Sequence, residues 1–237
     1  MTEFVLVPGA WLGAWAWKKV VPLLRKKGHV AYPVTLTGEA ERAHLATEDV
    51  NMETAIRDVL NVIKYNDLDD FALVGHSFAG KVAAAVADRE PEKVRILLYL
   101  DGYSPNKVRT PQGNFPDEFP VDGLKVPFPE GFLEVVGKDV QGADREWMLS
   151  KATPCPVRYL RDPIVLSEKF DSVKEAYIFC KGGDTLSWYL SQVSGPSSED
   201  EALKGILRGP YRIIDSGHWP MITRPEELVE GMLALSS

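Results

Sequence analysis

The fold of this chain is indicated most clearly by residues 75–80, Gly75-His76-Ser77-Phe78-Ala79-Gly80. A short apolar run, Phe71 to Val74, precedes this segment and predicts a buried strand. An Ala/Val-rich stretch from Phe78 to Glu90 follows it and ends at Pro91, which is typical of a buried helix. The segment is therefore expected to form a sharp turn between a strand and a helix.

The same alternation of strand and helix extends in both directions along the chain. Further strands are predicted at Phe4–Val7, His29–Leu36, Val94–Leu100, Ala176–Phe179 and Tyr211–Ile214. Further helices are predicted at Trp15–Lys27, after the N-cap Asn51, and at Glu226–Leu235. Short apolar strands that alternate with helices predict a mostly parallel sheet with helices on both faces. We therefore expect residues 1–237 to form a single α/β domain.

Residues from about 104 to 173 lack this strand–helix rhythm and are rich in Pro and aromatic residues. The stretch is too long for an ordinary loop. We interpret it as an insertion that caps one end of the sheet as a lid.

Composition excludes several classes of protein. The 27 Lys and Arg against 34 Asp and Glu give a net charge of −7, which argues against a nucleic-acid partner. No apolar run approaches the roughly 20 residues of a membrane span. The start, Met1-Thr2-Glu3-Phe4, lacks the pattern of a signal peptide. We therefore expect a cytoplasmic protein that has no membrane partner and keeps Cys155 and Cys180 reduced.

The spacing of potential ligands predicts neither a metal nor a cofactor. No His/Cys/Asp cluster has metal-ligand spacing, and no Gly-rich loop precedes Lys-Ser/Thr as phosphate binding would require.

Ser77 is the candidate nucleophile, because a sharp strand-to-helix turn exposes a Ser hydroxyl at the edge of a sheet. The usual pattern is Gly-X-Ser-X-Gly, and Ala79 takes the place of the last Gly. A hydroxyl needs a neighbouring base to take its proton. Of the four His residues, His218 follows the last strand and is preferred as that base, with His44 second.

The base in turn needs a carboxylate that orients its ring. Asp184 follows the strand at Ala176–Phe179 and is preferred, while Asp101, which ends the strand at Val94–Leu100, is kept as the alternative. Acyl transfer also needs two N–H donors for the oxyanion. The amide of Phe78 supplies one, and the early Gly turn assigns the other to the amide of Ala10.

Together these residues resemble the α/β-hydrolase fold, and in particular the subgroup of EstC-like esterases, plant methyl esterases, pyrethroid hydrolases and hydroxynitrile lyases. The resemblance covers most of the chain, and its most specific blocks are Phe4 to Trp11 and Ser216 to Met221. It implies a Ser77–Asp184–His218 triad, oxyanion donors at Ala10 and Phe78, and a lid over an apolar pocket.

The chain departs from its subgroup at two positions. Pro8-Gly9 stands where many relatives carry His-Gly, and Leu12 stands where many carry His, which makes the pocket mouth more apolar. The lyases use a Thr in the first oxyanion loop and a Lys after the base, where this chain has Gly9 and Trp219. Carbon–carbon lyase activity is therefore disfavoured, and a ligand-binding receptor on this fold is a further alternative.

We therefore predict a carboxylesterase, a cofactor-free serine hydrolase that cleaves small to medium carboxylic esters through an acyl-enzyme. Trp147 and Met148 of the lid, with Leu12, are the candidate substrate-binding residues. A homodimer is retained as a possible assembly.

Overall fold

The computed structural model describes residues 1–105, 121–193 and 198–236. Its strands are β1 (Glu3–Val7), β2 (Val30–Pro33), β3 (Phe71–His76), β4 (Val94–Leu100), β5 (Lys125–Val126), β6 (Cys155–Pro156), β7 (Glu175–Cys180) and β8 (Tyr211–Ile214). Six of them form one sheet in the order β2-β1-β3-β4-β7-β8. Every neighbouring pair in that sheet is parallel, as the apolar strands predict.

The α-helices are α1 (Val20–Lys26), α2 (Met52–Tyr65), α3 (Ala79–Arg89), α4 (Glu130–Val136), α5 (Gly142–Lys151), α6 (Val157–Arg161), α7 (Thr185–Ser191), α8 (Glu199–Ile206), α9 (Pro220–Thr223) and α10 (Pro225–Leu235). Short 3-10 helices lie at Ala14–Trp17, Ala40–Leu45 and Glu168–Ser172. The buried apolar residues of these elements form two clusters. Val5 and Val7 of β1 lie in one cluster, and Phe4 and Leu6, which alternate with them, lie in the other. The sheet is thus covered on both faces, as predicted. None of the helices in the described ranges is both long and apolar enough to span a bilayer.

The predicted N-cap of α2 is confirmed. The Asn51 side chain accepts a hydrogen bond from the Thr54 amide, and the Thr54 hydroxyl accepts one from the Asn51 amide. This reciprocal arrangement satisfies two amides that a helix start otherwise leaves without partners.

The predicted helix over Trp15–Lys27 is divided in two. A 3-10 turn covers Ala14–Trp17, and α1 begins only at Val20. Pro22 has no N–H to donate to a preceding turn, so it fits only the first turn of a helix and restricts where α1 can start. The second strand is also shorter than predicted and ends at Pro33, on the edge strand of the sheet.

Part of the predicted insertion, residues 106–120, lies outside the described residues. The described part, residues 121–173, contains the antiparallel pair β5–β6, helices α4–α6 and a 3-10 helix. Its function as a lid and the single-domain organisation stay predictions.

The pairing of β3 with β4 positions the site. The two strands are parallel, and the last pair in their register is His76 with Leu100, the last residue of each strand. The residues that follow, Ser77 and Asp101, therefore leave the same edge of the sheet on neighbouring strands.

Candidate active site

Ser77 occupies the predicted turn between β3 and α3. Its backbone has φ = 56°, a left-handed conformation that non-glycine residues adopt at a cost of about 1–3 kcal/mol. The Ser77 amide donates to the Leu100 carbonyl at 3.0 Å, and the Ser77 carbonyl accepts from the Gly80 amide at 3.0 Å. These bonds hold the strained turn and leave the Ser77 side chain partly exposed.

Glycines allow the backbone to approach Ser77 closely on two sides. A Cβ added at Gly102 would lie 2.7 Å from the Ser77 carbonyl oxygen. A Cβ added at Gly9 would lie 3.2 Å from the Ser77 Cβ and 2.5 Å from His76 Nδ1. The first loop of the chain therefore packs directly against the turn that carries Ser77.

His218 and Asp101 form a buried hydrogen-bonded pair. His218 Nδ1 lies 2.6 Å from Asp101 Oδ2, and both side chains are almost inaccessible to solvent. The other carboxylate oxygen, Oδ1, accepts from the Cys180 amide at 3.2 Å. Burial raises the pKa of Asp101, and the hydrogen bonds from His218 and Cys180 oppose that rise.

The prediction that Asp184 is the carboxylate in contact with His218 is wrong. Asp101, the alternative, forms that hydrogen bond. Asp184 is the exposed N-cap residue of α7. One of its carboxylate oxygens lies within 4.8 Å of the other two groups, but within the described ranges it forms no hydrogen bond with His218.

The absence of a side chain at Gly183 explains why Asp101 can reach His218. A Cβ at Gly183 would overlap Asp101 Oδ2 and lie 2.9 Å from Oδ1. The position that faces His218 from the β7 loop is therefore filled by the carboxylate of Asp101, which arrives from β4. Asp184, the next residue along the chain, is exposed.

His76 connects the Ser77 turn to the His218 loop. Its Nε2 lies 2.8 Å from the His218 carbonyl oxygen, so Nε2 carries the proton and donates it. The two rings lie 4.7 Å apart between centroids. Burial lowers the pKa of His76 well below its ordinary value, so this ring is neutral beside the His218 ring. The His218 ring therefore lies against His76, the residue that precedes Ser77.

Asp139, which the sequence did not single out, anchors the His218 loop to the insertion. Its Oδ2 accepts from the Gly217 amide at 2.9 Å and from the Thr223 hydroxyl at 2.7 Å. The His218 amide donates to the Val136 carbonyl at 2.7 Å, at the end of α4. The insertion thus holds the backbone of Gly217 and His218 directly.

The two amides predicted to bind an oxyanion belong to buried residues. Neither the amide of Ala10 nor that of Phe78 donates to an acceptor among the described residues. Their availability near Ser77 is consistent with an oxyanion site, which needs N–H groups that the protein itself does not use.

The Ser77 hydroxyl makes no hydrogen bond to His218 in the described part of the structure. Such bonds are often long in the absence of substrate and shorten in the complex. Asp101, Asp184 and His218 could also be regarded as metal ligands. The 2.6 Å contact between Nδ1 and Oδ2 fits a hydrogen bond instead, because an ion between these atoms would hold them further apart.

The predicted substrate-binding side chains are placed differently from expectation. Leu12 and Met148 have no accessible surface and pack in one apolar cluster, so they cannot contact a substrate in this conformation. Trp147 is half-buried and packs edge-on against Trp15 at 5.1 Å. The ring of Phe132, from α4 of the insertion, instead contacts the His218 ring at 5.9 Å.

The other two histidines lie away from this chemistry. His29 Nδ1 accepts from the Thr2 amide at 3.1 Å, which gives this ring a structural role. His44 is exposed in the 3-10 helix that spans Ala40–Leu45. Both cysteines are buried and free.

A parallel sheet with a strained Ser turn and a buried His–Asp pair at one edge defines a hydrolase of the nucleophile-elbow type. The chain belongs to the alpha/beta hydrolase family, whose model matches residues 4–231. The predicted resemblance is confirmed.

Curated relatives narrow the class. The chain is 32% identical over 255 residues to the carbendazim hydrolyzing esterase of a Nocardioides species, covering 99% of this chain and 100% of the relative. It is 25% identical over 264 residues to methylesterase 9 of Arabidopsis thaliana, covering 100% and 98%. The prediction of an ester-cleaving enzyme agrees with both.

Solved structures confirm the fold. An extracellular alpha/beta-hydrolase from a Paenibacillus species, described as homologous to tobacco salicylic acid binding protein 2, matches with a TM-score of 0.76 at 21% identity and covers 99% of each chain. Polyneuridine aldehyde esterase matches with a TM-score of 0.75 at 20% identity over the full length of both chains.

Proposed function

We propose that this protein is a carboxylesterase that cleaves small to medium carboxylic esters through an acyl-enzyme on Ser77. The observation that carries the proposal is the 2.6 Å bond between His218 Nδ1 and Asp101 Oδ2, beside the strained Ser77 turn. That bond keeps the proton on Nδ1, so Nε2 is the nitrogen that can act as base. The relatives that cleave esters support the same reaction.

In this mechanism Ser77 Oγ attacks the ester carbonyl as His218 Nε2 takes its proton. The developing oxyanion is bound by the amides of Ala10 and Phe78, and Asp101 stabilises the imidazolium. The tetrahedral intermediate collapses, and His218 returns the proton to the leaving alcohol. Water then attacks the acyl-enzyme with His218 again as base, which releases the carboxylic acid and restores Ser77.

No step of this reaction draws on a metal or an organic cofactor. A cytoplasmic location and a homodimeric assembly remain part of the proposal. The location rests on the amino-acid sequence, and the homodimer is kept as one possible assembly.

The proposal is tested by labelling with a fluorophosphonate, a probe that phosphonylates activated serines. We expect hydrolysis of p-nitrophenyl esters by the purified protein and one equivalent of probe on Ser77, located by peptide mass spectrometry. A protein that binds esters but neither hydrolyses them nor takes the label would be a receptor. Release of cyanide from mandelonitrile without ester turnover would identify a lyase instead.

A second prediction concerns Gly183. The Gly183→Ala variant is expected to lower kcat about 10²-fold, because the new Cβ displaces the Asp101 carboxylate and with it the imidazole. Steady-state kinetics with a p-nitrophenyl ester measures the loss. Gly205→Ala is the matched control, since a Cβ there meets nothing within 4 Å. Equal kcat values for the two variants would contradict this account of the turn.

A further inference from the structure

Glu39 is a fully buried carboxyl that the mechanism above does not use. It lies directly before the 3-10 helix Ala40–Leu45. Its Oε1 accepts from the Trp11 amide at 2.7 Å, whereas Oε2 has no hydrogen-bond partner in the described part of the chain. A buried carboxyl without a cation is costly when ionised, so its neutral form is favoured.

The groups around Glu39 do not supply a compensating charge. The Cys155 side chain contacts the carboxyl, and Tyr159 lies nearby with its hydroxyl donating to the Thr37 carbonyl at 2.6 Å. The Lys81 ammonium donates to the carbonyls of Leu160 and Asp162. The Arg42 guanidinium is bound to Thr35, Thr37 and Asp58.

Burial therefore raises the pKa of Glu39 from 4.5 to about 8, against the smaller opposing effects of the Trp11 amide and Cys155. At neutral pH the side chain is mainly a carboxylic acid. Burial also raises the pKa of both Cys155 and Tyr159, which keeps these groups neutral across the same range.

The partner of Glu39 belongs to the oxyanion loop, residues 9–11. Trp11 has φ = 68°, a conformation that persists only where the surroundings impose it. Three further bonds do so around it. Its indole Nε1 donates to the Val126 carbonyl at 3.0 Å, its carbonyl accepts from the Thr153 amide at 3.0 Å, and the Leu12 amide donates to the Gly9 carbonyl at 3.3 Å.

Glu39 fixes the peptide plane between Ala10 and Trp11, the plane next to the one that presents the Ala10 N–H. We propose that Glu39 is a positioning residue whose carboxyl, through its bond to the Trp11 amide, holds the oxyanion loop in the conformation that stabilises the transition state. Its ionisation places a buried negative charge against the loop that carries the Ala10 amide. This inference rests on the proposed esterase function.

The test compares the wild type with Glu39→Gln and Glu39→Leu. Gln keeps an acceptor for the Trp11 amide and cannot ionise, whereas Leu removes the acceptor. We expect Glu39→Leu to lower kcat about 10²-fold with little change in KM. We expect Glu39→Gln to stay within about threefold of the wild type at pH 7.

The pH profile separates positioning from a purely structural role. Wild-type kcat, corrected for spontaneous hydrolysis, is expected to fall above pH 8 by about tenfold per pH unit, and Glu39→Gln is expected to lack that fall. Burial lowers the pKa of Lys81 to about 8 as well. An alkaline fall that persists in Glu39→Gln would therefore assign the effect to Lys81 and overturn the inference.

Thermal unfolding gives a readout that is independent of activity. Because the pKa of Glu39 is higher in the folded than in the unfolded chain, its contribution to stability falls as pH rises from 4.5 to 8. The Tm of Glu39→Gln relative to the wild type should therefore increase over that range. A constant Tm difference, or wild-type kcat and KM in Glu39→Leu, would refute the proposal. Absence of ester turnover in the wild type would instead reject the proposed function.

Discussion

The Asp101→Asn variant is expected to lose about 10⁴-fold in kcat for a p-nitrophenyl ester, with KM almost unchanged. The Asn amide can donate to His218 Nδ1, which stabilises the tautomer whose proton sits on Nε2. Such a ring cannot accept the proton of Ser77. The charge that stabilises the imidazolium is lost at the same time.

Asp184→Asn is the matched control for this prediction. Its carboxylate is exposed and forms no hydrogen bond with His218 in the described residues, so kcat should stay within about threefold of the wild type. The pair of variants discriminates between two carboxylates whose oxygens lie within 4.8 Å of the same imidazole. A large loss in Asp184→Asn with a small one in Asp101→Asn would reverse the assignment.

The Ser77→Ala variant is expected to lower kcat about 10⁶-fold and to abolish fluorophosphonate labelling. The substitution removes the only atom that forms the acyl bond in the proposed mechanism. Binding of the ester and the two oxyanion amides remain, so KM should change little. Steady-state kinetics measures the effect, after the folded state and the mass of the variant protein have been checked.

Ser216→Ala provides the control for a lost serine hydroxyl near the site. Ser216 lies in the same loop as His218, is buried, and has a hydroxyl without a hydrogen-bond partner among the described residues. Its removal should leave kcat within about threefold of the wild type. Turnover by Ser77→Ala comparable to that of Ser216→Ala would show that Ser77 is not the nucleophile.

Much of the sheet could be predicted from the sequence, because its strands are apolar and bounded by clear turn residues. The strand at Tyr211–Ile214 has the predicted bounds, and Val94–Leu100 does too. The placement of Ser77 and His218 could also be predicted, since each follows a strand at the edge of the sheet where its loops gather. Their catalytic roles stay predictions.

Which of two carboxylates contacts His218 could not be predicted correctly from the sequence. Both Asp101 and Asp184 follow a strand at that edge, and the choice depends on which way a side chain points within a tight turn. The lack of a side chain at Gly183 leaves space for the Asp101 carboxylate. The sequence alone does not show that Asp101 fills this space.

Glu39 escaped sequence reasoning for a related reason. It lies in a polar stretch, Gly38-Glu39-Ala40-Glu41, in which charged side chains ordinarily face solvent. Its complete burial follows from the packing of the Trp11 loop and Cys155 around it, residues far apart along the chain. Long-range packing of this kind leaves no periodic pattern in a single sequence.

The position of Asp101 directly after β4 affects which residues of this enzyme can vary during evolution. Ser77 and Asp101 follow neighbouring strands of the sheet, so residues 181–184 supply neither the nucleophile nor the carboxylate of the proposed mechanism. Position 184 can therefore vary without loss of the hydrogen bond between His218 and Asp101. Position 183 must keep the smallest side chain, because a Cβ there would enter the space of the Asp101 carboxylate.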